Sequence, residues 1–105
     1  MKIRKTINIE HSAEAVLVAQ IADALAHPVR VSLLVYVRSK NVVRNDVCNK
    51  DLVAHFDYSQ SSLSQHVKKL RECGLFEVTY QDKFSFYRVN EDLLKLFTTK
   101  VNDLG

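Results

Sequence analysis

The stretch from Ser59 to Leu75, Ser-Gln-Ser-Ser-Leu-Ser-Gln-His-Val-Lys-Lys-Leu-Arg-Glu-Cys-Gly-Leu, carries its own start signal and its own stop. Ser59 can accept a backbone N–H and cap a first helical turn. Gly74 can take the left-handed conformation that closes a helix. Between them Leu63, Val67 and Leu70 recur at the spacing of one helix face, which predicts an apolar stripe turned to a core. Ser61, Ser64, Gln65 and Lys68 then point the other way. Hydroxyls and amides near the helix start, followed by lysines, suit a helix whose N-terminal end enters a DNA major groove. A helix that merely faces water more often carries paired Glu and Lys there.

The rest of the chain gives that helix a setting. Pro28 is the sole proline, and the two glycines are Gly74 and Gly105. So few breakers predict a mainly helical chain. Ser12 can cap a first helix over about 12–26, apolar almost all round through Val16, Leu17, Val18, Ile21, Ala22 and Leu25. Such a helix needs cover on more than one side, and in so small a domain a second subunit is the expected source. His27-Pro28 opens a second helix of about 28–38, with Val29, Leu33, Tyr36 and Val37 on one stripe. Residues 39–46 read as a polar loop, with a short strand expected near Val42-Val43 or Val47. Asn49 is the expected cap of a third helix, about 50–56, with Leu52, Val53 and Phe56 inward. Asp57-Tyr58 is the turn into the Ser59 helix, so residues 50–73 read as a helix-turn-helix. After Gly74 the period changes to two: Phe76, Val78 and Tyr80, a turn at Gln81-Asp82-Lys83, then Phe84, Phe86, Tyr87 and Val89. This predicts a β-hairpin wing over 75–90. Asn90 can cap a final helix over 91–104, with Leu93, Leu96, Phe97, Val101 and Leu104 on one stripe and Leu94 off it.

The predicted fold class is therefore mainly α with a small β-hairpin wing: a winged helix-turn-helix of five helices, in one domain of 105 residues. The apolar fraction of 47% is that of a globular protein. No run of about 18 apolar residues is present and no apolar stretch follows the basic Met1–Thr6, so neither a membrane span nor a signal peptide is expected, and the expected location is the cytoplasm. The formal net charge of +3 is weak evidence for nucleic acid by itself. Its placement says more: Lys2, Arg4 and Lys5 crowd a basic N-terminal arm (1–11), Lys68, Lys69 and Arg71 crowd the end of the polar helix, and Lys83 and Arg88 flank the wing turn.

Specific motifs then fall on these elements. Ala22–Leu34 resembles the phrase "alanine-leucine-small-acidic-Pro-x-Arg-x-x-Ile-Leu". Tyr58–Phe76 resembles "leucine-Ser-Gln-Ser-x-Val-Ser-x-His-Leu-x-x-Leu-Arg-x-Ala-Gly-Leu-Val". Phe86–Asn90 resembles a wing ending in "Tyr-Tyr-Arg-Leu". Together, from about Ile21 to Asn90, the chain resembles the ArsR/SmtB family of bacterial winged-helix repressors. The resemblance implies a homodimer built from the first and last helices, an imperfect inverted-repeat operator in double-stranded DNA, and a signal that releases it. By position, Gln60, Ser61, Ser64 and Gln65 match the family's base- and backbone-reading residues. Lys68 and Lys69 match phosphate contacts, and Lys83 a wing contact. Ser59 and Arg88 complete the expected DNA-binding set.

Many family members sense metals, and here the ligand pattern is broken. Cys48-Asn49-Lys50-Asp51-Leu52 matches the family's Cys-Val-Cys-Asp-Leu stretch, but Lys50 stands at the second cysteine. The last helix has no His or Cys, and His11, His27, His55 and His66 show no paired ligand spacing. No metal or other cofactor is expected. His66 borders the apolar stripe and is expected to be packed and hydrogen-bonded. Cys73 is expected to serve as a small apolar side chain. Cys48 is a candidate thiol sensor, because Arg44 and Lys50 lie close in sequence and could activate it. No catalytic triad, phosphate loop or metal motif points to an enzyme. A winged helix that binds protein instead of DNA is the alternative from another class; the polar face of the Ser59 helix speaks against it, since protein interfaces favour large anchors.

Overall fold

The computed structural model describes residues 12–105; the expected basic arm, residues 1–11, lies outside them. The order is α1 (Ala13–Ala24), α2 (Pro28–Asn41), β1 (Val47–Cys48), α3 (Asn49–His55), α4 (Gln60–Glu72), β2 (Phe76–Gln81), β3 (Phe84–Val89) and α5 (Glu91–Asn102). Five helices and a small sheet make up the fold, as the sequence predicts.

Local chemistry sets most of the boundaries. Ser12 Oγ accepts from the Ala15 N–H at 3.0 Å and starts α1. Pro28 opens α2, while the His27 ring caps it by accepting from the Val29 N–H at 3.2 Å. The second helix runs to Asn41 rather than ending near 38. Residues 39–41 are polar but contain no breaker, and the Asn41 side chain is held at both ends. Its Oδ1 accepts from Val89 N at 2.9 Å, and its Nδ2 donates to Tyr87 O at 3.3 Å. Val42 and Val43 are exposed in the turn that follows, so of the two expected strand positions Val47 is the one used.

Two expectations about α3 are corrected. Cys48, not Asn49, is its cap residue, and Asn49 is its first helical residue. A thiol is a poor cap acceptor, and Asp51 takes over by reaching back: its Oδ2 accepts from the Cys48 N–H at 2.9 Å. Val53 is exposed rather than inward. A seven-residue helix has room for one inward row, which Leu52 fills as a buried residue and Phe56 as a partly buried one.

The wing has one more strand than a hairpin. Strands β2 and β3 pair antiparallel, with Phe76 opposite Val89 and Val78 opposite Tyr87. Short β1 joins the far edge of β3, giving the order β1-β3-β2. The connection between β2 and β3 is Asp82-Lys83, where Asp82 has a φ of 56°. Asp tolerates that left-handed conformation better than most side chains.

One core joins these elements. Ile21, Leu33, Val37, Val47, Leu52, Leu70, Leu75 and Phe76 are fully buried within it. Asn90 caps α5 by accepting from the Leu93 N–H at 3.1 Å. No α5 residue is fully buried, and Leu94 packs on the core beside Leu93 and Phe97 instead of lying off the stripe. The helix ends at Asn102, leaving Leu104 exposed beyond it. No single helix among the described residues is long and apolar enough to cross a membrane.

Gly74 joins α4, the wing and α5 through one backbone position. Its φ is +93°, and a Cβ there would stand 3.1 Å from Leu93 Cδ2. Gly74→Ala therefore combines a strained backbone with a crowded α5 contact. The expected loss is about 1–3 kcal/mol in urea unfolding, with an unchanged m-value.

Candidate nucleic-acid interface

Helix α4 is held in one rotation by its own sequence. Leu63, Val67 and Leu70 are buried, which leaves Gln60, Ser61, Ser64, Gln65, Lys68 and Lys69 exposed along the other side. Ser59 is the cap, accepting from the Ser62 N–H at 3.1 Å, and its hydroxyl also meets Ser62 Oγ at 3.1 Å. Ser59 is thus engaged at the helix start, while the amides and hydroxyls of the next turns face outward. The helix presents its N-terminal dipole end and its Gln and Ser side chains first, its lysines later. Neutral donors and acceptors therefore come before the charges that attract phosphate.

The wing lies beside this helix. Lys83 and Phe84 at its tip, together with Lys50 and Val53 of α3 and Gln60 of α4, line an open cleft of about 520 Å³. The residues lining it include two lysines and no Asp or Glu. The sequence marks Lys50 as the residue that replaces a metal ligand and as a cation near Cys48, not as a partner of the wing. Nothing local to residue 50 signals a shared cleft, because β1 pairing on β3 is what carries α3 to the wing. The Tyr87 hydroxyl donates to Asn49 Oδ1 at 2.9 Å and ties the same two elements together. Phe84 and Phe86 stack on one another with centroids 5.9 Å apart, on the face of the hairpin away from buried Tyr87 and Val89.

Arg88 is not gathered with the other site residues. It sits near the base of the hairpin opposite Glu77 and donates to Asn45 Oδ1. It lines a different cavity, with Arg38, Asn41 and Glu91, where Arg38 pairs with Glu91 at 3.0 Å.

Cys48 lines the same cleft as Lys50 and Lys83, while the other cation expected beside it is engaged elsewhere. Arg44 is taken up by Asp46 at 2.7 Å and Asp51 at 3.1 Å, and the sulfur faces an acidic partner, Asp51 Oδ2 at 3.5 Å. Cys73 is partly buried against the core and donates to Leu70 O at 3.3 Å; burial pushes its thiol above the ordinary range. Both cysteines are free. Among the described residues no three His, Cys, Asp or Glu side chains come together where they could hold a metal ion. His66 is partly buried, with its ring packed against that of His27.

A helix-turn-helix with an exposed polar second helix, backed by a wing, defines the winged helix-turn-helix class of DNA-binding regulators. The model of the family described as bacterial regulatory protein, arsR family, matches residues 27–78, from the α2 cap into β2. The chain belongs to this ArsR family of transcriptional regulators. A curated relative, the biofilm growth-associated repressor of Agrobacterium fabrum, is 33% identical over 75 residues. That match covers 71% of this chain and spans 60% of the relative's length. Among solved structures, an ArsR-like transcriptional regulator from Rhodococcus sp. RHA1 shares the fold with a TM-score of 0.75 at 18% identity, over 90% of this chain and 84% of that one. Reduced HlyU from Vibrio cholerae N16961 has a TM-score of 0.60 at 27% identity, over 80% of this chain and 82% of that one.

The Cys48 N–H bond, helped by Arg44, holds the Asp51 carboxyl below the usual carboxylate range. A depressed carboxyl stabilises the fold above its unfolded value, about pH 4, and loses that contribution as the pH falls through its folded value. Asp51→Ala is expected to cost about 1 kcal/mol at neutral pH, mostly the backbone bond, since solvent screens the ion pair. Wild type and variant should converge in denaturant midpoint as the pH falls below that folded value.

Proposed function

We propose that the protein is a homodimeric repressor that binds an inverted-repeat operator in double-stranded DNA and leaves it in response to a signal. The observation that carries this is the outer face of α4. Gln60, Ser61, Ser64 and Gln65 are exposed together on a helix whose opposite stripe is buried. Gln60 and Gln65 offer paired donor and acceptor groups suited to adenine edges, and the serines suit bases or phosphates. Lys68 and Lys69 supply affinity by displacing counterions and carry no sequence information. Lys83 and Lys50 supply two further cations at the cleft between wing and α3, where the neighbouring strand of phosphates would run. Arg88, engaged with Asn45 away from that cleft, has a lesser part.

The dimer would form through α1 and α5. These helices pack on each other, joined by a Lys100–Glu14 pair at 3.0 Å, yet leave Val16 and Val101 exposed, with Leu104 exposed just beyond α5. A two-fold arrangement would set the two recognition helices about 34 Å apart, one turn of DNA. The N-terminal arm, with Lys2, Arg4 and Lys5, adds basic charge to the same chain.

Selection of bound duplexes from random DNA by the purified protein tests the reading. The expected product is an inverted repeat whose affinity falls steeply with salt. Gln65→Ala should change base preference at one position in each half-site. Lys69→Ala should weaken all sequences alike and reduce the salt slope by about 1. Equal losses on every duplex for Gln65→Ala would remove its base-reading role. Negligible binding even at low salt would favour a protein-interaction module.

A further inference from the structure

Two histidines meet ring to ring where α2 abuts the recognition helix. The centroids of His27 and His66 lie 4.5 Å apart, with the planes at 46°. His27 is the cap of α2, and its Nδ1 accepts from the Val29 N–H. A ring nitrogen accepts a hydrogen bond only while it carries no proton. The α2 cap therefore requires a neutral His27. Protonation would abolish the acceptor and set a cation against the positive end of the helix dipole.

On His66 the charged groups that act are His27 and Arg30, both from the start of α2. Tyr58, in the turn between α3 and α4, places its ring 6.3 Å from that of His66. His55 of α3 stacks instead on Tyr36, at 4.1 Å. Arg30 Nε is buried and finds no hydrogen-bond partner among the described residues. Burial first, then His27 and Arg30, hold His66 below its ordinary value. A histidine so held contributes its stability in full above about pH 6.5 and loses it as the pH falls toward its folded value.

We propose that His27 and His66 form a proton-operated joint between α2 and α4. It is closed when both rings are neutral; protonation on acidification opens it, parts the start of α2 from the recognition helix, and weakens sequence-specific DNA binding. The last step rests on the DNA-binding role proposed above; the opening of the joint does not.

Thermal unfolding of the full chain at about pH 7.5 and about pH 5.5 tests the joint with wild type, His27→Asn and His66→Gln. The His27→Asn variant keeps an oxygen that can cap α2 but cannot titrate. The wild-type midpoint is expected to fall roughly 4–8 °C further on acidification than that of His27→Asn, and His66→Gln should likewise blunt the fall. Protection of the Val29 amide, corrected for the pH dependence of free exchange, should drop in the wild type and persist in His27→Asn. Parallel pH dependence in all three proteins would overturn the proposal, as would nitrogen shifts showing His27 Nδ1 protonated at about pH 7.5. For the final step, wild-type affinity for a duplex selected from random DNA should fall by about threefold or more on acidification, and that of His27→Asn should hold. Opening of the joint without this loss would remove the link to DNA. If no duplex is bound at any pH, the DNA role fails while the melting comparison still decides the joint.

Discussion

The burial of Leu63, Val67 and Leu70 is the constraint on which the surface of this protein depends. These three side chains sit at helical spacing and enter the same core as Val29, Leu33 and Val37 of α2. Once they are buried, α4 has no freedom to rotate about its axis, and its outer face is decided residue by residue. Each buried aliphatic side chain contributes about 1.5–3 kcal/mol, so turning the helix by one position would expose much of that apolar surface. The polar face is thus presented by the same packing that stabilises the domain. Rigid presentation matters for reading DNA, because contacts to base edges tolerate little misplacement.

The wing is positioned by polar bonds that complement this apolar packing. Asn41, at the end of α2, holds the backbone of β3 at both Tyr87 and Val89. Tyr87 holds α3 through Asn49, and β1 closes the sheet edge. Gly74 lets the chain turn directly from α4 into β2 while Leu93 closes over it. Helix, wing and α5 are therefore tied into one body, and Lys50 and Lys83 come to face one cleft although they lie far apart in the chain.

Much of this is legible in the amino-acid sequence. Ser12, Ser59 and Asn90 cap the helices that their positions predict, because capping is a contact over three residues and is written locally. The apolar stripe of α4 and the alternation of Phe76 and Val78 are legible for the same reason. The positions that depart from expectation share a cause as well. Val53 looks inward by composition, yet a helix of two turns has one inward row. Leu94 looks spare, off the α5 stripe, until the core reaches it. Arg88 is close to Lys83 in sequence, but the hairpin carries it to the opposite end of the wing.

Caps, breakers and periodicity act over a few residues and need no tertiary context. The set of elements and the chemical character of each face are therefore properties of the sequence alone. So is the family membership, carried by the stretch from the α2 cap through α4 into β2. The meetings between side chains of different elements have another origin, the docking of distant segments in three dimensions. Docking set Lys50 with Lys83 and laid His27 against His66. It depends on the shapes and volumes packed around one core, which no local pattern encodes.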